Sequence, residues 1–180
     1  MATYTTQNSM LLENLLKFYK KDNNMDTMLN IINGQSTISL RIVDWFVTNY
    51  AKKHFTIYEF NGDRFKVYND YKNKLRAYSK KRFDPFCRWD RISIPFKNDT
   101  HIQTTIGQLN FFKWAIENDV IKYIQHNYLC IEKDMNLRNS ASNRESIAMT
   151  NKTRKKREEL SISASKSIKK EDVEIVLKFN

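Results

Sequence analysis

Apolar residues recur at three- and four-residue spacing through the first fifty positions, a periodicity that predicts helices. Met10, Leu11, Leu12, Leu15, Leu16, Phe18 and Tyr19 form one such face behind a cap at Thr6 or Ser9. Lys20 and Lys21 follow it, where cations suit the helix dipole. Met25, Met28, Leu29, Ile31 and Ile32 give a second helix, starting near Asn23 or Asn24 and ending at Asn33-Gly34. A third follows a cap at Ser36 or Ser39. Ile38, Ile42, Trp45, Phe46 and Asn49 make one strip of it, and Leu40, Val43, Val47 and Tyr50 the next. A helix apolar over more than half its circumference belongs in the centre of a fold. Ala51-Lys52-Lys53-His54 closes it.

The period then shortens to two. Phe55–Phe60 and Arg64–Tyr68 alternate on either side of Asn61-Gly62, the strongest short hairpin signal in the chain. This phase turns Phe55, Ile57, Phe65 and Val67 inward. Asn69 or Asp70 caps a helix from Tyr71 to about Lys81, and Phe83-Asp84-Pro85 breaks it. Arg91–Phe96 reads as a short strand, held to an edge or an end by Pro95. Lys97–Gln103 reads as a loop. From Thr104 or Thr105 a long helical pattern runs through Ile106, Leu109, Phe112, Ile116, Val120, Ile124 and Ile131 to Met135. It is either one helix of roughly 30 residues or two, split at the capping pair Asn118-Asp119. Leu40, Trp45, Val47 and Asn49 recur as Leu109, Trp114, Ile116 and Asn118, either a duplicated unit or two core helices using the same residue types.

From Asn139 to about Lys170, Ser, Asn, Lys and Arg replace the apolar residues, which reads as a disordered basic tail. Val173–Phe179 alternates again and offers a strand that docks beside Arg91–Phe96 or the hairpin. The expected fold class is therefore α+β and mainly helical. One globular domain spans 1–138, the tail 139–170, and the docking strand 171–180.

Composition narrows the chemistry. Three glycines in 180 residues argue against a phosphate-cradling glycine loop and a turn-rich β-sandwich. Cys87 and Cys130 have neither metal-ligand spacing nor the number for a disulfide framework, which suits a reducing compartment. The apolar run after Met10 is broken by Glu13, Asn14 and Lys17, so no signal peptide is expected. No run reaches the length of a membrane span. His54, His101 and His126 lie far apart, and Asp84, Asp90 and Asp99 are the mixture any charged loop contains. No HExxH, GxSxG or Walker pattern is present. The expectation is a protein without catalytic residues, cofactor or metal.

Charge changes the picture most. The chain carries a net +11, unevenly spread. Residues 1–71 hold eight cations against seven carboxylates, and residues 92–138 five against five. Residues 72–91 hold eight Lys/Arg against Asp84 and Asp90. Lys72, Arg76, Lys80, Lys81, Arg82, Arg88 and Arg91 are its candidate phosphate contacts. Lys72, Arg76 and Lys80 fall at i, i+4 and i+8, a ridge on one helical face. Tyr78, Phe83, Phe86 and Trp89 are interleaved with the cations. Such aromatics can stack on bases, but Phe83 and Phe86 flank a proline turn that must pack on something, which favours the core. A second cluster, Lys152, Arg154, Lys155, Lys156 and Arg157, lies in the tail. A near-neutral body with two basic zones suits a polyanionic partner.

Three strings carry a resemblance: Ser36–Tyr50 (STISLRIVDWFVTNY), Tyr78–Arg88 (YSKKRFDPFCR) and Thr104–Ile116 (TTIGQLNFFKWAI). They resemble a family of small proteins from large nucleocytoplasmic DNA viruses of the mimivirus and phycodnavirus kind, over roughly residues 9–138. That resemblance implies a viral origin, with replication at least partly in host cytoplasm, and brings no catalytic residues with it. The expected function is a non-enzymatic nucleic-acid-binding protein of such a virus, in genome expression, packaging or the virion. The alternative is a structural or assembly adaptor whose basic stretch meets an acidic viral protein. DNA and RNA are both open as ligands. The expected location is the viral factory in host cytoplasm, the virion, or the nucleus.

Overall fold

A computed structural model of the protein describes residues 7–87, 90–97, 100–148 and 170–172. It is mainly helical, with two small antiparallel sheets, the α+β class expected from the sequence. Helices α1 (Gln7–Tyr19) and α2 (Asn24–Ile32) are followed by α3 (Leu40–Trp45), which runs on through a π-helical turn, Phe46–Tyr50, into α4 (Ala51–Lys53). Ser39 caps α3, its side chain accepting from the Ile42 N–H. In the π-turn the Ala51 N–H reaches back to the Phe46 carbonyl. The wider turn still keeps Phe46, Val47 and Ala51 buried.

Strands β1 (Ile57–Phe60) and β2 (Asp63–Lys66) form the hairpin, with Phe60 opposite Asp63. Asn61 and Gly62 both take positive φ, 52° and 85°, as a two-residue turn of this hand requires. The inward phase differs from the expected one. Phe55 and Ile57 are exposed, while Tyr58 and its cross-strand partner Phe65 face the body. Tyr58 stacks on Tyr123 at 5.1 Å and donates its hydroxyl to the Asn118 carbonyl. Side chains alternate strictly along a strand, so fixing Tyr58 inward forces Ile57 out. A tyrosine whose hydroxyl finds a carbonyl won over a smaller apolar residue. Val67 is fully buried, but as the first residue of a helix.

That helix, α5 (Val67–Phe83), starts before the expected cap and contains one non-helical residue, Ser79, at φ 62°, ψ 166°. Strand β3 (Arg91–Pro95) pairs with β4 (Thr100–Thr105), Ile94 opposite Ile102. The expected loop over 97–103 is thus half strand, because buried Ile102 and Thr104 need a partner edge. Helix α6 (Ile106–Glu117), capped by the Thr105 side chain, is the central element. Leu109, Phe111, Phe112 and Ala115 on it are fully buried, and Tyr19 of α1 donates to the Leu109 carbonyl at 2.7 Å. The long helical pattern breaks at Asn118-Asp119, with Asp119 left-handed, and again at Asn127, giving α7 (Val120–His126) and α8 (Tyr128–Ala148).

Two outcomes concern the tail. Helix α8 continues through Ala148, past the boundary expected at Asn139. Its inner residues Ile131 and Met135, one turn apart, are buried. Strand β5 (Lys170–Asp172) pairs with β4, on the edge away from β3, just before the alternating segment expected to dock. Residues 149–169 and 173–180 lie outside the described residues.

Candidate nucleic-acid interface

The basic stretch is built on α5 and the turn that ends it. Phe83 is fully buried among aromatic rings: Trp114 at 5.7 Å, Phe111 at 5.9 Å, Tyr71 at 6.0 Å, with Tyr78 stacked on it at 6.0 Å. Asp84 closes the turn, its carboxylate accepting from the Phe86 N–H at 2.9 Å. The Asn110 side-chain amide donates to the Arg82 carbonyl at 2.9 Å. Gly107 lets α6 approach this corner. A methyl group there would stand 2.9 Å from the Asp84 carbonyl oxygen and 3.1 Å from that of Lys81. The described aromatics of the stretch therefore serve as its anchor, and Lys72, Arg76, Lys80 and Lys81 are left exposed.

Lys72, Arg76, Lys80, Lys81 and Arg91 are exposed. Lys72, Arg76 and Lys80 form no ion pair or side-chain hydrogen bond with any described residue. The kink at Ser79 breaks the expected i, i+4, i+8 ridge between Arg76 and Lys80. Lys72 and Lys80 nonetheless line the same cleft, about 440 Å³, together with Asp44, Thr48, Tyr71 and Asp84. Arg82 departs from its expected role. It is half-buried and clamps the start of α1, donating to Asn8 Oδ1 at 2.8 Å and Gln7 Oε1 at 3.0 Å. Arg91 sits at the first position of β3, opposite Thr105 and apart from the α5 cations in sequence and element. Arg88, Trp89 and the cluster Lys152–Arg157 lie outside the described residues.

The floor of the cleft is acidic. Burial, and then the charge of Asp84, push the Asp44 carboxyl up to about 6. Burial also raises Tyr71, with Asp44 and Asp84 contributing. Away from the cleft, the two tryptophan helices use one device. Trp114 donates its indole N–H to Asp70 at 2.6 Å, tying α6 to α5, and Trp45 donates to Asp134 at 3.2 Å, tying α3 to α8. Burial opposes ionisation of Asp134, but hydrogen bonds from Lys53 and Trp45, with the charge of Lys53, hold its carboxyl below the usual range.

A second basic–aromatic patch escaped the sequence reading. Phe55 is 83% exposed at φ 47°, and Ile57 beside it is 47% exposed. They flank an apolar cavity of about 280 Å³ whose wall includes Lys52, Lys66 and Tyr68. Tyr68 also lines the α5 cleft, so the two hollows adjoin. Alternation suggested an inward Phe55, and the left-handed backbone that turns it out leaves no sequence signal in a phenylalanine. Among the described residues no group of three His, Cys, Asp or Glu is arranged to hold a metal, and no helix is long and apolar enough to cross a membrane.

With this geometry in view, comparison with known proteins is informative. The model of a family of unknown function (DUF7197) matches residues 2–178. The chain belongs to this family. The match reaches well past the 9–138 covered by the resemblance and takes in the tail. A relative, the uncharacterized protein L507 of Acanthamoeba polyphaga mimivirus, is 46% identical over an aligned length of 142 residues. That alignment takes in 73% of this chain and 55% of L507, so the chain spans about half the length of the curated relative it matches. The giant-virus kinship read from the three strings is shown by this match. No solved structure matches the chain.

Proposed function

We propose that this DUF7197 protein is a non-enzymatic nucleic-acid-binding protein of a giant virus, gripping phosphate through the cations of α5. The observation that carries the reading is the set Lys72, Arg76 and Lys80: exposed, unpaired with any described residue, and fixed on a helix that the Phe83 cluster anchors to the core. Cations left without carboxylate partners in a body of balanced charge attract a polyanion and release its counterions on contact. Arg91 on β3 is a further exposed cation, and the sequence adds the cluster Lys152–Arg157. Phosphate contact of this kind is indifferent to sequence. It fits genome packaging, virion association or genome expression, in the host cytoplasm or the virion.

The test is a gel shift with random DNA and RNA at low salt. Wild type should shift both. The neutral triple variant Lys72→Gln/Arg76→Gln/Lys80→Gln should bind at least tenfold more weakly, with its far-UV spectrum unchanged. Arg82 is left alone in this variant because it holds α1. A wild-type protein that shifts neither polymer at micromolar concentration would move the reading to an adaptor for an acidic viral protein.

A further inference from the structure

The cavity beside Phe55 is unlike the rest of the surface. Phe55 holds a positive φ, which a bulky side chain seldom adopts, and directs its ring into solvent. Thr56, next to it, is 8% exposed and lines the cavity, and its Oγ1 has no hydrogen-bond partner among the described residues. A buried hydroxyl without a partner carries a desolvation cost. Ala51 and Ile57 supply apolar wall. Lys52 and Lys66 are exposed, and no carboxylate lines the hollow. The ligand is therefore flat or apolar at the bottom and anionic at the mouth. A volume of about 280 Å³ falls just below the roughly 300–1,000 Å³ of small-ligand pockets, room for one ring system and little more.

We propose that this cavity takes one unstacked base of a single-stranded nucleic acid. The inference rests on the reading of α5 as a phosphate-binding helix and adds to it the strandedness of the ligand. The base stacks on the Phe55 ring. The flanking phosphates lie on Lys52 and Lys66. Tyr68 forms a wall of both hollows, so a strand can pass from Lys52 to Lys72 and Lys80, whose cleft also holds Asp44 and Asp84. The adjoining of the two hollows favours a long polyanion over a short acidic peptide. Duplexes keep their bases paired and cannot fill the cavity, whereas aromatic platforms beside cationic tracks suit single strands.

The test is fluorescence anisotropy with a labelled oligothymidine of about 15 nucleotides, within the usual site-size range, and a duplex of equal length. Wild type should bind the single strand more tightly. Phe55→Ala should weaken single-strand binding about tenfold and duplex binding less than twofold. Phe55→Gly should show the same loss as Phe55→Ala with a Tm equal to or above wild type, because glycine accepts the positive φ. Single-strand affinity unchanged in Phe55→Ala, while the Lys72/Arg76/Lys80 variant still weakens it, would overturn the cavity inference and leave the α5 reading standing. A labelled Glu/Phe peptide that binds wild type and loses affinity in Phe55→Ala, with single-strand binding unmoved, would overturn it in favour of a protein partner. Failure of wild type to bind any nucleic acid would overturn both.

Discussion

At the scale of single residues, Asp44 sets a pH dependence. Its carboxyl is raised from 3.8 to about 6 by burial and by Asp84, which lines the same cleft with Thr48, Tyr68, Tyr71, Lys72 and Lys80. A raised folded-state value means that the folded protein prefers the protonated acid. Its stabilising share is complete below about pH 4 and is lost as pH rises through about 6. Asp44→Asn keeps the shape and removes the charge. Thermal melts should show the variant more stable at pH 7, by on the order of 2–3 kcal/mol, and equal to wild type near pH 4. Parallel melting curves for the two proteins from pH 4 to 7 would remove Asp44 as the cause. The Asp44 shift needs a cleft that forms only when α3 and α5 meet, so it was not legible in the sequence. The break at Phe83-Asp84-Pro85 was legible, because proline restricts the residue before it and cannot continue a helix, but the bond from the Phe86 N–H to the Asp84 carboxylate was not.

At the scale of elements, the corner between α5 and α6 positions the proposed interface. Gly107 allows the close approach, and the Asn110–Arg82 hydrogen bond and the Phe83 cluster hold it. In an ordinary helix interior, replacing glycine by alanine stabilises by about 1 kcal/mol. Here the added methyl meets backbone oxygens that cannot swing aside, so Gly107→Ala should destabilise by about 1–3 kcal/mol. Chemical denaturation of the variant checks the sign. A gain in stability would show that the corner is looser than this geometry. Most elements were legible because their signals are local: the Ser39 and Thr105 caps, Asn61-Gly62, and the break at Phe83-Asp84-Pro85. Three features were not. The hairpin phase depended on Tyr58 finding Tyr123 and the Asn118 carbonyl across 60 residues. The strand β4 is defined by its pairing with β3 and β5. The kink at Ser79 is a tertiary accommodation, since serine has no intrinsic preference for that conformation.

At the scale of the whole molecule, a balanced body carries cations that its own carboxylates do not neutralise. Charge counts along the chain located the basic stretch, because residues 72–91 stand out from any context. They did not separate the cations that face solvent from Arg82, which holds α1, nor find Lys52, Lys66 and Phe55, which only the fold gathers beside Tyr68. At both places where Leu-Trp-(Val/Ile)-Asn recurs, α3 with its π-helical turn and α6, the tryptophan fixes a neighbour through an indole–carboxylate hydrogen bond.

The most direct test of the central claim is the salt dependence of binding to a random single-stranded oligonucleotide. Affinity is measured over a series of potassium chloride concentrations for wild type and for Lys72→Gln/Arg76→Gln/Lys80→Gln. Each lost phosphate contact removes about 0.7 from the slope of log K against log salt on a single strand. The triple variant should therefore bind more weakly and with a slope shallower by about two. Equal slopes for the two proteins would contradict phosphate contact by α5.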